Sequence, residues 1–315
     1  MGERNSTPTT EFILLGFSDH PLLQGLICGM VLLMYLISML GNFVFLLLMC
    51  ADRHLHKPMY LFLSNLSILD VCCTSATFPK MLVNFLTQSK SISFKECMTQ
   101  LFFFQSFTGS ELFLLTSMAY DRYVAICNPF YYSLIMKKSI CILLASGSWI
   151  ITFLGELPLI IMISRLSYCA SNKINHFFCD PFALIKLSCS DTDKLSILIF
   201  IEGTFVIFIP FLLTLISYIF IISTILRIRC ADGRHKTFST CSSHLTSVTL
   251  FYGTIMCIYM RPTSSMYSPA QDKLFSLLFT GLIPMLNPII YSLRNQEIKN
   301  SIGRIRDKTR LLVNW

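Results

Sequence analysis

Four carboxyl side chains stand where the surrounding sequence is almost wholly apolar: Asp70, Glu111, Glu156 and Glu202. A fifth, Asp121, stands beside Arg122 at the end of another apolar run, in the stretch MAYDRYVAIC at 118–127. An ionised carboxylate away from water is costly, so each of these groups needs a cation, a proton or a hydrogen-bond donor. Asp70 and Glu111, with the amides of Asn42, Asn65 and Asn287, offer oxygen ligands that suit a hard cation such as sodium. Interhelical hydrogen bonding with one carboxyl protonated is the other reading of the same residues. Glu156 and Glu202 have no basic partner in their own runs. Either each is protonated and donates to a helix carbonyl, or one or both face a ligand pocket, Glu202 being the better placed to meet a ligand that carries a hydrogen-bond donor or an amine. Bond-making chemistry is missing: there is no His-Glu-x-x-His, no nucleophile elbow and no phosphate-binding glycine loop. The chain does not read as an enzyme.

The elements that hold these groups follow from composition. Of 315 residues, 54% are hydrophobic and 13% charged, and the mean hydropathy is +0.63. Soluble domains carry about 25% charged residues, so the chain is a membrane protein. A bilayer core of about 30 Å takes about 20 helical residues. Apolar runs near 26–50, 58–82, 98–120, 140–163, 195–226, 238–260 and 272–292 predict an all-α membrane protein, a bundle of seven transmembrane helices. Helices are expected because lipid offers the backbone no hydrogen bonds, and the short alternating strands of a barrel are missing. Residues 1–25 precede the bundle, 26–292 form it and 293–315 are the tail. The first 25 residues hold no convincing cleavable signal.

Charge orients the bundle. Segments 51–57, 121–139, 227–237 and 293–315 hold 15 Lys and Arg, and the alternate segments hold 8. The positive-inside rule puts the first set in the cytoplasm, with the N-terminus outside and the C-terminus cytoplasmic. Asn5-Ser6-Thr7 is a glycosylation sequon on the outer side. The net charge of +8 is scattered among loops without a nucleic-acid-binding motif, so no nucleic-acid partner is expected. Cys97, Cys169, Cys179 and Cys189 all fall on the oxidising side, where sequence alone permits three pairings.

Five motifs in order narrow the class. PMYLFLSNLSILD at 58–70, MAYDRYVAIC at 118–127, Ser217-Tyr218, KTFSTCSSHLTSV at 236–248 and PMLNPIIYSLRN at 284–295 each fall at a helix end or within a span. Together they resemble the olfactory receptors among the rhodopsin-like G-protein-coupled receptors. One local departure is NPFYY at 128–132, where His or Lys and a Leu-His pair are commoner.

The resemblance implies roles. It pairs Cys97 with Cys179 and Cys169 with Cys189. It makes Asp121 restrain Arg122 until the helices part, when Arg122, Tyr218 and Tyr291 line the cavity for the G protein. Tyr123 completes that motif, His244 belongs to the same face, and Asn287 and Pro288 form a hinge in the seventh helix. It assigns Asp70 and Glu111 to an allosteric sodium ion; no other cofactor is implied. The ligand is a small volatile odorant, held by Phe104, Gln105, Thr108 and Gly109 of the third helix. Glu202 and Val206 of the fifth, Tyr252, Ile255 and Tyr259 of the sixth, and Leu277 and Thr280 of the seventh close the site. The implied partners are a stimulatory olfactory G protein, which raises cyclic AMP, and membrane lipids. The implied location is the plasma membrane of olfactory sensory cilia. The competing readings are a rhodopsin-like receptor for a non-odorant molecule and a transporter or channel. The last would need internal repeats, and seven spans divide badly into two.

Overall fold

The computed structural model describes residues 10–17, 21–169, 171–259, 269–294 and 297–304, without the side chains of Pro21, Lys236, Ser239, Thr240, Tyr259, Pro269, Leu293 and Arg294. Asn5 and the side chain of Tyr259 therefore lie outside the described residues. Seven long helices run through the described part. They are α1 (Pro21–Ala51), α2 (Pro58–Leu86), α3 (Phe94–Cys127), α4 (Lys138–Ser164), α5 (Asp193–Gly203, then Thr204–Phe208 and Ile209–Leu226), α6 (Ala231–Tyr259) and α7 (Pro269–Leu277, then Leu278–Leu282 and Ile283–Arg294).

Five of them, α1, α2, α4, α5 and α7, are long and apolar enough to cross a membrane. The protein is thus a multi-pass helical membrane protein. The other two are less apolar for a physical reason. Helix α3 buries more than half of its 34 residues, including Ser106, Ser110 and Glu111, so its surroundings are protein rather than lipid, and its polar groups can be satisfied there. The apolar faces of α1, α4 and α5 are exposed instead, as Leu36, Leu154 and Phe220 show.

Local rules set the helix ends. Pro58 opens α2, where a missing N–H costs nothing. Ser93 and Glu96 cap α3 reciprocally: Ser93 Oγ accepts from the Glu96 amide at 3.2 Å, and Glu96 Oε2 accepts from the Ser93 amide at 3.0 Å. Two helices change pitch midway. Thr204–Phe208 of α5 and Leu278–Leu282 of α7 are π turns. A proline follows each by two residues, Pro210 and Pro284. Each ring removes the donor its helix needs one turn back, and the ladder relaxes to a wider turn.

One end of the bundle carries three short strands, a feature the helical reading of the sequence does not include. β1 (Glu11–Leu14) lies between β2 (Ser91–Ser93) and β3 (Lys173–Ile174), antiparallel to the first and parallel to the second. Phe12 fills the space beneath, fully buried, with its ring edge on Tyr168 at 5.1 Å. The stretch Glu11–Leu14 is too short to cross a bilayer, and its alternating burial is that of a strand over a core.

The opposite end is tied by charge. A further helical segment, 297–304, buries Ile298 and Ser301. Arg304 Nε donates to Asp52 Oδ2 at 3.1 Å, and Tyr60 Oη donates to Glu297 Oε2 at 2.9 Å. The Ser301 hydroxyl, then Arg304 and His54, hold the Asp52 carboxyl well below the usual carboxylate range. The start of the tail is thus docked against the α1–α2 connection.

Candidate functional site

A cavity opens between α3, α4, α5 and α6, toward the strand end. Gln105, Thr108, Gly109 and Leu112 of α3 form one wall, at the spacing of one helix face. Glu156 and Leu159 come from α4, Glu202, Val206 and Ile207 from α5, and Ile255 from α6. Pro181 and Phe182 cover it from the loop between α4 and α5. Gly109 is required where three helices meet: a Cβ there would stand 2.9 Å from Thr152 Cγ2 and 3.2 Å from Val206 Cγ1.

Six of the residues expected to meet a ligand are therefore together: Gln105, Thr108, Gly109, Glu202, Val206 and Ile255. Four others lie elsewhere in the packed bundle. Phe104 packs on Phe178 and Phe279, with centroids 5.0 and 6.3 Å away. Tyr252 stands against Phe211 at 5.2 Å, its hydroxyl 3.4 Å from Thr116 Oγ1. Leu277 and Thr280 are buried in α7, the Thr280 hydroxyl bonded to its own helix. The sequence reading missed Leu112, Leu159, Pro181, Phe182, Ile199, Gly203 and Ile207. None carries a polar signal, and the lid residues reach the cavity only through the loop's path.

Glu156 and Glu202 face each other across the cavity, from α4 and α5. One oxygen of each, Glu156 Oε2 and Glu202 Oε1, is buried without a hydrogen-bond partner, and so is Thr108 Oγ1. The cavity is tight, about 60 Å³. That holds a few waters, so a larger ligand must displace the lid or side chains. A roomier space, about 540 Å³, lies between β1, α1 and α2. None of the unpartnered buried polar atoms among the described residues lines it, and such groups are what orient a bound ligand.

Deeper in the bundle, Asn287 Nδ2 donates to both Asp70 oxygens, at 3.0 and 3.1 Å. Glu111 Oε1 accepts from Cys73 Sγ at 3.4 Å. Asp70, Glu111 and Asn287 are all buried. Asn65 is turned away, since its Oδ1 accepts from Trp149 Nε1 at 3.2 Å. Asn42 instead ties α1 to α7, donating to the Pro284 carbonyl at 3.1 Å. Gly41 lets that contact form: a Cβ would stand 2.9 Å from the Pro288 ring.

At the far end of α3, Arg122 donates to Asp121 Oδ2 through Nε at 3.2 Å and Nη2 at 2.9 Å. Tyr132 Oη donates to Asp121 Oδ1 at 2.8 Å. Asp121 is wholly buried and the Arg122 side chain 17% exposed. The NPFYY segment thus delivers a tyrosine onto the pair while Phe130 stands in solvent. Tyr123 packs on Phe220, ring centroids 5.9 Å apart. Tyr218 of α5 meets His244 of α6, Oη to Nδ1 at 2.5 Å, so the histidine ties two helices. Tyr291 is buried among them.

The structure joins Cys97 to Cys179 and Cys169 to Cys189. Gln100 fixes the same crossing: its Oε1 accepts from the Cys179 amide at 2.9 Å, and its Nε2 donates to the Ala76 carbonyl at 2.9 Å. Asp180 then caps the short helix Pro181–Leu187, which carries the cavity lid.

A multi-pass helical bundle with a lidded cavity at one end and a sequestered Asp-Arg pair at the other has the form of a receptor. Comparison with known proteins gives the class its name. The family model for olfactory receptors matches residues 31–308. Mouse "Olfactory receptor 5AP2" is 51% identical over 302 residues, covering 96% of this chain and 95% of its own. Human "Olfactory receptor 1L4" is 48% identical, covering 96% and 97%, and mouse "Olfactory receptor 5AR1" is 49% identical, covering 98% and 99%. The chain belongs to the olfactory receptor family. It is accordingly a rhodopsin-like G-protein-coupled receptor for a small molecule, a plasma-membrane protein and not an enzyme.

Proposed function

We propose that this protein is an odorant receptor of sensory cilia that activates a stimulatory G protein and raises cyclic AMP. In this reading all seven long helices span the membrane. The strand end faces outside with the N-terminus, and the Asp121–Arg122 end faces the cytoplasm with the tail. The carrying observation is the cavity beneath the Cys179 loop, whose apolar walls and few convergent polar groups suit a small organic ligand. Ligand binding there and G-protein binding at Arg122 are coupled through one equilibrium between closed and open bundles. Breaking the Tyr218–His244 contact and the hold of Asp121 and Tyr132 on Arg122 belongs to the opening. Gln105, Thr108, Gly109, Glu202, Val206 and Ile255 are the proposed ligand contacts. The test is an odorant panel applied to cells that display the receptor, read by cyclic AMP. A dose-dependent rise absent from untransfected cells is expected. Receptor at the surface, silent to a broad panel in cells that supply the stimulatory G protein, would count against the reading.

Asp70 and Glu111 are the proposed sodium site. The chemistry of the residues suits a small cation: Asp70 and Glu111 are buried carboxyls, one with an amide and the other with a thiol as its described partner. Asp70 and Glu111 would hold the ion, which supplies the positive charge these acids lack, while Asn287 orients Asp70. Sodium is expected to raise the melting temperature of the purified receptor relative to potassium, by about 2–4 °C for each kcal/mol of binding. Asp70→Asn should abolish the difference. A sodium increment of the same size in the variant would remove Asp70 from the site.

A further inference from the structure

Three of the residues that line the cavity carry a buried polar atom with no hydrogen-bond partner. Glu156 Oε2, Glu202 Oε1 and Thr108 Oγ1 are each buried without a partner, although Glu156 is only 3% and Thr108 7% exposed. They come from three helices, α4, α5 and α3, and line one cavity. A buried acceptor left unmade costs about 1–3 kcal/mol, so a ligand that satisfies all three gains more than one that meets its walls alone.

Their chemistry restricts that ligand. Two facing carboxyls share one proton most readily, because like charges so close do not both ionise freely. Any charge such a pair carries is negative. No Lys or Arg is among the described residues lining the cavity to balance it. A carboxylic acid would bring a third acidic group to the same point. An alcohol brings one donor for three acceptors. A primary ammonium brings three N–H donors and the positive charge the pair lacks. Leu112, Leu159, Ile199, Val206, Ile207 and Ile255 present only hydrocarbon behind it, which suits a short alkyl chain.

We infer that Glu156, Glu202 and Thr108 form a recognition site for a protonated alkyl amine, with the ammonium seated between the two carboxyls. This rests on the receptor reading above and names its ligand class. Glu202 reaches the site because it stands just before the π turn Thr204–Phe208. That turn sets the face of α5 carrying Glu202 out of register with the face carrying Thr214 and Tyr218. The pair is therefore a product of the helix distortion as well as of the two residues.

The test uses the full-length receptor in cells, with surface display measured for every variant. Butyl, pentyl and hexyl chains are each presented with an amine, an alcohol and a carboxylic acid head group, and cyclic AMP is read. The amines are expected to be at least about tenfold more potent than the alcohols, with the acids inactive. Glu156→Gln and Glu202→Gln should each weaken the best amine by about tenfold or more while leaving any alcohol response within about threefold. An alcohol or acid that outranks the amine of equal chain length overturns the proposal, and so does equal amine potency in both variants. The head-group ranking in the unaltered receptor decides the matter even if a variant fails to reach the surface. Silence toward every amine, in a receptor that answers another odorant of the wider panel, overturns the amine site and leaves the receptor reading intact. Silence toward everything overturns both.

Discussion

Cys179→Ser is expected to remove the receptor from the cell surface. The bridge to Cys97 closes a loop with a sequence separation of 82, and a crosslink of that span stabilises a fold by about 4–5 kcal/mol in the chain-entropy account. Whole domains have a margin of only about 5–15 kcal/mol. The loss goes beyond entropy. Cys179 is fully buried, its amide is held by Gln100, and the lid helix starts two residues later. Without the bridge, Pro181 and Phe182 lose the anchor that sets them over the cavity, and the β3 strand loses its neighbouring support. The bridge between Cys169 and Cys189 closes only 20 residues, for which the same account gives about 3 kcal/mol. Cys189→Ser should therefore retain more surface receptor than Cys179→Ser. Flow cytometry of an N-terminal epitope on intact cells, against total receptor in permeabilised cells, measures both. Surface display of Cys179→Ser at the unaltered level would show that the crossing is held by Gln100 and packing alone.

How much of this architecture could be read from residue order follows from the range of the interactions concerned. Apolar runs mark α1, α2, α4, α5 and α7 because lipid demands them locally. Gln105, Thr108, Gly109 and Leu112 fall on one face of α3 by helical spacing alone, and the cavity uses that face. Phe104 is one residue away, hence about 100° around the helix, and it packs on Phe178 and Phe279. The fifth helix was less legible. Its π turn adds a residue to one turn, so spacing from Pro210 or Tyr218 does not give the direction of Glu202. The partner of Glu202 was hidden for another reason: Glu156 is 46 positions earlier, across a loop with no periodicity to read. Pairing of Ile13 with Lys173 is equally long in range, and nothing in either short stretch specifies the other. Conversely, the acids themselves were conspicuous, because a carboxyl in an apolar run is an anomaly whatever the fold.

Arg122→Ala is expected to leave ligand binding within about threefold and to remove nearly all of the cyclic AMP response. Arg122 sits at the far end of α3 from Gln105 and Thr108, 17 and 14 residues along the helix, or about 20–25 Å at the helical rise. A change there does not touch the cavity wall. The guanidinium is occupied by Asp121, which in turn takes the Tyr132 hydroxyl. If this is the closed state, the bundle is held shut by keeping Arg122 against a wholly buried carboxylate, and signalling requires its release. Removing the arginine removes the group to be released. It also leaves Asp121 with a tyrosine as its one described partner, so some loss of folded receptor is expected, and responses must be scaled to surface display. The partner substitution separates structure from signalling by its sign. Asp121→Asn keeps the size and one hydrogen-bond acceptor but loses the charge that restrains Arg122. It should raise cyclic AMP in the absence of odorant, whereas a merely structural pair would make both variants fall together. Tyr132→Phe removes one of the contacts to Asp121 and should lie between the unaltered receptor and Asp121→Asn in basal activity. Basal signalling unchanged in Asp121→Asn, together with a full odorant response in Arg122→Ala at matched display, would reduce the pair to a surface-seeking arginine with its counter-ion.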